Sequence, residues 1–445
     1  MLEEETIGDR KEALERLPSE LQNTYKETLS RIQALKPKSG AERAMNVLLW
    51  TFLQFPTHGK SMSIAELQHA LAVKVSDKEF NEDRIPSLKV ILGNCLGLVT
   101  VDKETSTVRL VHYTLQEYFR EHESTFFPEG HRTMAHICLT YLRFSMQKPI
   151  DDPIISEKLR SDVHTMTPLE VQYLARPALN DPFLKYAFYQ WGHHMRHQSD
   201  APLNIFVHDL LQTFYTTSVM RVLYSMEFEI RFGLLRQWGN QSVYNDTWLS
   251  NEVDSLSGLP KGSLIHVAAY FGLNSLVKEY GYKKPRLADG SACARSPLSI
   301  AAGGGHEGTV QLLLACPTID PNSADRGGLT PLSWAAVGGH DSVIQSLLAH
   351  PTIDPNFADD RGRTPLSYAA GEGPDSVVQF LLAHHTVDPN SADKGDWTPL
   401  TYAADKGHDS VVQLLLALPT TDPTHRNDSI VTAWKSARSL TTSLH

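Results

Sequence analysis

A 34-residue internal repeat in the C-terminal third constrains the fold of this chain more than any other feature. Ser/Thr-Pro-Leu recurs at this step, an Ala-Ala pair follows each copy, and an Asp-Pro pair and a glycine recur in their own phases. One such unit cannot bury its apolar face alone, so repeats of this period stack into a solenoid. The triplets start at Ser296, Thr330, Thr364 and Thr398, the Asp-Pro pairs at Asp320, Asp354, Asp388 and Asp422, and the glycines are Gly305, Gly339, Gly373 and Gly407.

Each unit predicts a helix, a turn, a second helix and a projecting turn. The Ser or Thr caps the first helix, and Pro occupies its first turn, where no hydrogen bond is lost. The recurring glycine then ends this helix in a left-handed turn. In the second helix the apolar residues, such as Val378, Leu381 and Leu382, are spaced i, i+3, i+4 and predict one buried stripe. The Asp-Pro-Asn segment turns the chain out and back.

This unit resembles the ankyrin repeat, whose signature is Thr-Pro-Leu-His, Ala-Ala and then Gly-His. Gly373-Pro374 departs from the Gly-His pair, and hydroxyl residues replace the signature histidine. We expect these hydroxyls to bond the turn backbone, with weaker locking between repeats. A degenerate unit at 263–269 and a partial one at 432–434 give about five repeats over 256–431 and a partial repeat or tail over 432–445. The replacing residues are Ser299, Ser333, Ser367 and Thr401.

The resemblance implies a protein-binding surface on the projecting turns and on the concave side of the first helices. The residues at these positions differ between units and are not part of the predicted apolar core of the stack. Trp397 is the strongest predicted anchor, because Trp contributes a large contact area at a low entropy cost. The alternative is that Trp397 packs on its own turn or on the neighbouring repeat and that the basic residues only offset nearby acids. The candidate partner-binding residues are Arg326, Leu329, Arg361, Arg363, Glu372, Lys394, Trp397, Asp405 and Lys406.

Charge is unevenly distributed along the chain, and this restricts the charge that a partner of the repeats can carry. The chain has 41 Lys plus Arg against 51 Asp plus Glu. Residues 296–431 alone have 6 basic and 16 acidic side chains, so the whole excess of acid lies in the repeats. The partner of the repeats is therefore expected to be neutral or basic, and a nucleic-acid backbone would be repelled there.

The N-terminal half predicts a different architecture. A helical segment over 1–40 precedes three helical stretches and a hairpin, which together predict a winged-helix domain over 41–125. Ser63-Ile64-Ala65-Glu66 is a capping box that opens the second stretch. The stretches are 44–55, 63–71 and 85–95, the strands are 98–101 and 108–111, and a helix capped by Thr114 follows.

A winged helix has two functional interpretations. A DNA-binding one presents a basic helix and wing to phosphates. Residues 41–125 carry 9 basic and 11 acidic side chains, so nucleic acid is not the expected partner, and a transcriptional regulator is kept as the alternative. The preferred interpretation is a packing or relay module.

The runs 95–101 and 108–118, with Leu17-Pro18, Leu21 and Tyr25 before them, resemble the region after the NACHT nucleotide-binding domain in fungal NACHT-ankyrin proteins. That module is often labelled the winged helix of a GPI inositol-deacylase. Residues 182–187 and 191–194 resemble the helical segment that links it to the repeats, so the resemblance spans nearly the whole chain. It implies that the winged helix relays the state of an NTPase switch while the repeats hold a partner.

The expected NTPase itself is missing from the sequence. Gly59-Lys60-Ser61 resembles the end of a phosphate-binding loop, but Gln54 stands where that loop needs glycine. We therefore expect the C-terminal half of a STAND-type regulator, either a truncated gene product or a stand-alone adaptor, with a NACHT NTPase acting in trans as a further candidate partner. No Gly-x-Ser-x-Gly elbow supports hydrolase activity. The prediction is a non-enzymatic protein without a cofactor.

The remaining features are less informative. His193 and His197 have a metal-ligand spacing, but only Asp200 could add a third ligand nearby, so no metal site is predicted. The four cysteines form no Cys-x-x-Cys pair, which favours buried free thiols. The acidic start and the absence of a membrane-length apolar run predict a cytoplasmic protein, with the nucleus as the alternative.

Residues 126–255 predict a helical linker domain, with helices near 136–144, 169–174, 183–194 and 203–223. The predicted fold is thus mainly α: a winged-helix domain, a helical linker domain and an ankyrin-repeat solenoid. The predicted function is that of a non-enzymatic interaction or adaptor protein.

Overall fold

The structure is a computed structural model, and it describes residues 19–54, 61–147, 181–196, 264–280, 295–325 and 327–419. These residues belong to two compact units, one ending at residue 196 and one starting at residue 264 in the described part. Helices make up most of both units, which confirms the mainly α fold. The Gly-Lys segment at 59–60, the predicted helices at 169–174 and 203–223, and the partial last repeat lie outside the described residues.

The first unit contains eight α-helices and one hairpin in its described residues. The predicted elements are present, with ends displaced by one to several residues. The helices are α1 (Ser19–Gln33), α2 (Lys38–Leu53), α3 (Ile64–Ala72), α4 (Leu88–Asn94), α5 (Tyr113–Glu121), α6 (Glu123–Phe126), α7 (Gly130–Gln147) and α8 (Leu184–Arg196), and the strands are β1 (Val99–Asp102) and β2 (Thr107–Leu110).

The capping box predicted at Ser63 is present and also attaches the hairpin. The Ser63 hydroxyl accepts from the Glu66 N–H at 3.2 Å, and the Glu66 carboxylate accepts from the Ser63 N–H at 2.6 Å. Both orphan donors at this helix start are therefore satisfied. The same segment pairs with β2, because Ser63 forms an antiparallel bridge with Thr107. A third extended segment thus lies beside the two strands, an arrangement that the sequence pattern did not predict.

The hairpin is antiparallel, with Val99 opposite Leu110 and Asp102 opposite Thr107. Its turn is stabilised by the Asp102 carboxylate, which accepts from the N–H groups of Glu104 and Thr105 at 3.0 and 3.3 Å. These hydrogen bonds lower the pKa of Asp102, because they favour the charged form. The predicted cap Thr114 lies inside α5, and His112 is the residue that caps this helix.

The helices of the predicted linker region that the structure describes, α7 and α8, pack in the same unit as the winged helix. The Trp50 ring from α2 lies 5.5 Å from Phe183 and 5.6 Å from Tyr186, in edge-on contacts. His194 of α8 is fully buried, and its Nε2 lies 3.0 Å from the Tyr186 hydroxyl. Its Nδ1 lies 2.9 Å from Nδ1 of His131 on α7. These aromatic contacts join the three helices into one core.

The second unit is a stack of helix pairs. Each pair is a short first helix followed, after a tight turn, by a second helix. The pairs are α9 (Leu264–Phe271) and α10 (Asn274–Tyr280), α11 (Pro297–Gly303) and α12 (Glu307–Leu314), α13 (Pro331–Gly338) and α14 (Asp341–Leu348), α15 (Pro365–Glu372) and α16 (Asp375–Ala383), and α17 (Pro399–Lys406) and α18 (Asp409–Leu416). The predicted stripes are buried, as Val378 and Leu381 show in α16.

The predicted caps form in all four complete units. The hydroxyls of Ser296, Thr330, Thr364 and Thr398 each accept from the backbone N–H three residues later. The hydroxyl residue that replaces the signature histidine lies 3.0–3.1 Å from the cap hydroxyl in every unit. Only Ser367 also accepts from a backbone N–H, that of Thr364. The expected backbone bond is therefore found once, and hydroxyl pairs are the general rule.

The Gly-His pairs connect each unit to the one before it. Nε2 of His340 lies 3.0 Å from the Gly303 carbonyl oxygen, and His408 has the same contact with Gly371. The recurring glycine makes room for this ring: it has a positive φ, +70° at Gly305, and a Cβ there would lie 2.7 Å from Nδ1 of His340. Pro374 cannot form the bond, because proline has no side-chain donor.

The Asp-Pro-Asn turns form a second connection between units. The side-chain amide of Asn322 donates to the Thr352 carbonyl at 2.7 Å and accepts from the Asp354 N–H at 2.8 Å. Asn356 makes the same two bonds with Thr386 and Asp388. An Asn that bonds both backbone groups of the next turn fixes the spacing of successive repeats.

We expect His340→Ala to loosen the stack. The loss of a hydrogen bond to a backbone carbonyl costs about 1 kcal/mol, which corresponds to roughly fivefold faster exchange of the nearby amides. Hydrogen-exchange mass spectrometry of α11 and α13 in the intact chain measures this change.

The reverse substitution provides the matched test. Pro374→His should slow exchange in α13 and α15 relative to Pro374→Ala by a similar factor, because the new imidazole can reach the carbonyl of Val337. Pro374→Ala accounts for the entropy that the unfolded chain gains when proline is removed. Equal exchange in the His and Ala variants would show that the histidine bond does not lock the stack.

Candidate partner-binding face

The projecting turns, here called fingers, are each organised by one aspartate. Oδ1 of Asp393 accepts from the N–H groups of Gly395 and Trp397 at 2.8 and 2.9 Å. Asp325 and Asp359 do the same in their own turns. The finger is thus an Asx-type turn that satisfies its backbone donors with a carboxylate. The first, second and third fingers are residues 325–329, 359–363 and 393–397, apart from Arg326, which lies outside the described residues.

The second oxygen of each aspartate contacts an aromatic residue on the next first helix. Nε1 of Trp334 donates to Asp325 Oδ2 at 2.9 Å. The hydroxyls of Tyr368 and Tyr402 donate to Asp359 and Asp393 at 2.7 and 2.5 Å. Burial and this hydrogen bond raise the pKa of Tyr402. One carboxylate therefore fixes a finger and an aromatic ring in each of three repeats.

Backbone bonds join the fingers to one another. The Asp360 N–H donates to the Gly327 carbonyl at 3.1 Å, and the Lys394 N–H donates to the Arg361 carbonyl at 2.8 Å. The three fingers and the three aromatic rings form one surface, called the finger face below. Its aromatic members are Trp334, Tyr368, Trp397 and Tyr402.

Arg363 lies inside the finger face. Its Nε and Nη2 are 2.9 and 2.8 Å from Asp359 Oδ2, and its Cζ is 4.6 Å from the Tyr368 ring centroid. Burial lowers the pKa of Arg363, but Tyr368 and Asp359 together raise it by more, so the guanidinium stays charged. Only 8% of the residue is exposed. Arg363 therefore supports the face from within.

Trp397 occupies the equivalent position in the third finger and is half-buried. Its ring lies 5.2 Å from that of Tyr402, at an angle of 54°. Part of the indole therefore rests on Tyr402 of the neighbouring repeat, as the alternative interpretation proposed, and part faces solvent. A fixed but accessible aromatic ring suits an anchor.

The other predicted residues are found in different settings. The expectation that Leu329 and Arg363 project toward a partner is wrong, because Leu329 is 3% exposed and Arg363 is held by Asp359. Arg361 is half-buried. Four predicted residues are exposed: Glu372, Lys394, Asp405 and Lys406.

Glu372 and Lys406 end the first helices of neighbouring repeats. The atoms packed around the Glu372 carboxyl raise its pKa, and the charges of Lys406 and His408 oppose that rise. The end of the first helices therefore carries charges of both signs.

The sequence prediction missed Arg295, Trp334, Tyr368 and Tyr402. The signal was present: Trp or Tyr precedes the Ala-Ala pair in three units. Arg295 was missed because it contacts Trp334 of the next repeat, 39 residues away, with its Cζ 3.3 Å from the ring centroid.

The surface of the winged helix has little basic character. In α4, the third helix of this fold, Lys89 and Val90 are exposed. Arg109 of β2 is 3.5 Å from Asp102, so the wing carries an ion pair next to its turn. Val111 and Tyr113, just after β2, are 48% and 55% exposed. This surface is apolar and mixed in charge.

No group of three or more His, Cys, Asp or Glu within the described residues could hold a metal ion. His193 is half-buried in α8, and His197 lies outside the described residues. Cys95, Cys138 and Cys316 are buried free thiols, as predicted. Burial raises the pKa of Cys95 to about 12, so its thiol is unreactive near neutral pH. No helix in the described part of the chain is long and apolar enough to cross a membrane.

Comparison with known families identifies both parts of the chain. The model described as ankyrin repeats (3 copies) matches residues 265–359 and 351–427. The model described as the winged helix domain of GPI inositol-deacylase matches residues 32–126. No match to a curated protein was found. The chain therefore contains ankyrin repeats and a winged-helix domain of this type.

The finger aspartates lead to a graded stability prediction. Asp359→Asn should destabilise the repeats by about 3 kcal/mol, because it leaves the buried Arg363 without its counter-charge. Asp325→Asn should cost about 1 kcal/mol. Asp325 organises the same kind of turn, but its arginine is held less closely, because Arg295 Nε is 3.9 Å from Asp325 Oδ2 and the Arg295 side chain is 24% exposed. Denaturant unfolding followed by circular dichroism compares the two. An equal loss of unfolding free energy in the two variants would mean that the buried Arg363–Asp359 ion pair does not contribute to stability.

Proposed function

We propose that this chain is a non-enzymatic adaptor whose finger face binds a protein partner. Ankyrin repeats support a protein-interaction role. The observation that carries the proposal is Trp397, an aromatic side chain held against Tyr402 on a finger fixed by Asp393, with part of its surface open. Such a preorganised ring loses little entropy on binding.

The bonding of the finger face supports a binding role rather than a reaction site. Its carboxylates at Asp325, Asp359 and Asp393 are each occupied by backbone N–H groups and by an aromatic donor. These bonds give all three carboxylates a structural role. The proposal places the protein in the cytoplasm, with the nucleus as the alternative.

The winged-helix unit is proposed to act as a packing or relay module of a STAND-type regulator, with a NACHT NTPase as a partner in trans. Its exposed apolar residues Val111 and Tyr113 support a protein contact rather than a contact with phosphates. DNA binding is the weaker candidate, because Lys89 is the one basic residue of α4 and the wing carries an Arg109–Asp102 pair.

Substitution of Trp397 tests the binding role. In affinity capture from native extract, Trp397→Ala should lose a protein that the unaltered chain retains, with an affinity loss of about 2 kcal/mol once that protein is purified. Melting should change little, because the backbone N–H of residue 397 still caps the finger. The matched control is Gln379→Ala/Gln413→Ala, which alters exposed positions on the second helices of the same part of the stack.

Two results would contradict the binding role. One is the same set of captured proteins with Trp397→Ala as with the unaltered chain. The other is an equal loss with the glutamine control, which would indicate a general effect on the repeats. An NTP-binding protein that all variants retain would favour the winged-helix unit as the working surface.

The choice between protein and DNA is tested separately. We expect the intact chain not to bind a labelled DNA duplex at about 0.15 M salt in fluorescence anisotropy, because a phosphate-binding surface needs clustered basic residues. Duplex binding that weakens steeply with added salt, and that is weaker in Lys89→Glu than in the unaltered chain, would support the transcriptional alternative instead.

A further inference from the structure

We propose that the third finger binds an arginine side chain of a basic protein segment, which stacks on Trp397. This inference rests on the proposed function and names the chemistry of its partner. It is drawn from two sites where the chain places its own arginines against the finger face.

In the first site, the guanidinium of Arg295 lies over Trp334, with Cζ 3.3 Å from the ring centroid. The indole donates to Asp325 Oδ2, and Arg295 Nε is 3.9 Å from the same oxygen. The ring and the carboxylate therefore present an aromatic face and a negative charge to one guanidinium. Both attract this cation, the first by cation–π interaction.

The second site, one unit further along, has the same three groups, but its arginine comes from the finger itself rather than from the repeat before it. Arg363 Cζ is 4.6 Å from the Tyr368 ring centroid, and Nη2 is 2.8 Å from Asp359 Oδ2. The hydroxyl of Tyr368 donates to that oxygen. A finger carboxylate, an aromatic ring hydrogen-bonded to it and a stacked guanidinium thus occur twice.

Within the described residues, the third finger has the carboxylate and the ring with no arginine stacked on them, and the charge of Arg363 acts on Tyr402 without lying over its ring. The hydroxyl of Tyr402 donates to Asp393 Oδ2 at 2.5 Å, as in the other repeats. Trp397 stands at the position of Arg363 and adds a second ring, 5.2 Å from the first. Among the described residues, no Lys or Arg lies over either ring. The solvent-facing side of Trp397 is therefore an aromatic surface that this part of the chain does not cover with a cation.

Charge complementarity favours a basic occupant. Residues 295–325 and 327–419 contain 5 basic and 14 acidic side chains. Two of the five, Arg295 and Arg363, already stack on the chain's own rings. Asp405 at the end of α17 is exposed and adds negative charge. An arginine suits the site better than a lysine, because the planar guanidinium stacks on rings and is less strongly hydrated.

The test uses two fluorescein-labelled peptides, (Arg-Gly)6 and (Lys-Gly)6, which carry the same charge. In fluorescence anisotropy with the intact chain, the arginine peptide should bind about fivefold more tightly than the lysine peptide. Trp397→Ala should weaken the arginine peptide about tenfold and bring the two peptides close to equal affinity. Trp397→Phe should retain most of the preference, because it keeps an aromatic ring.

Substitution of Lys394 is expected to change peptide affinity in the opposite direction. It is exposed in the same finger, so Lys394→Ala removes a like charge and should tighten binding of both peptides by about twofold. Gln379→Ala/Gln413→Ala should leave both affinities unchanged. A variant that keeps the far-ultraviolet circular dichroism of the unaltered chain is folded.

Three results would overturn the inference: equal binding of the two peptides to the unaltered chain, no effect of Trp397→Ala, or weaker binding in Lys394→Ala. Its failure can be told apart from failure of the proposed function. If Trp397→Ala loses a cellular partner while the arginine peptide shows no preference, the binding role stands and the arginine site does not. If the peptide behaves as expected and no cellular protein is lost, the arginine site stands and the adaptor role does not.

Discussion

The hydrogen bonds of the finger aspartates determine much of the shape of the finger face. A stack of apolar helices has a strong driving force but an adjustable register, because burial is not directional. Hydrogen bonds restrict that freedom. Asp393 connects the backbone of its finger, through Trp397, to the first helix, through Tyr402. Each finger therefore keeps its position relative to the helix because one ionised aspartate accepts hydrogen bonds from both.

Local and distant constraints differ in how well the sequence predicts them. The caps at Thr330 and Thr364, the left-handed glycines and the Ser63 capping box are predictable, because each depends on residues within four positions. Arg295 on Trp334 and His194 on His131 are not predictable in this way, since those partners are 39 and 63 residues apart. Leu329 and Arg363 were assigned to the surface because they lie in a projecting turn. A turn of five residues has an inner side, and both residues occupy it.

The two units have different electrostatic surfaces, and this difference supports separate roles. In the winged-helix unit some charges are paired with near neighbours in the sequence, as Arg109 with Asp102 and Arg120 with Glu117. Its apolar Val111 and Tyr113 remain exposed after β2. The repeats instead retain a large excess of acid that repeats with the 34-residue step. Such a field suits the basic partner proposed above, because long-range attraction speeds the encounter with an oppositely charged segment.

The junction around Pro374 shows how the stack tolerates an altered signature. The histidine bond is missing there, but three other connections between the same two repeats remain. Asn356 bonds Thr386 and Asp388, Ser376 donates to Asp341 at 2.8 Å, and the Lys394 N–H donates to Arg361. Each is worth about as much as the bond that is lost, so the junction keeps its register. The finger side retains all of its connections, and this side carries Trp397. The substitution therefore weakens the stack at the far end of the first helices, where the predicted anchor does not depend on it.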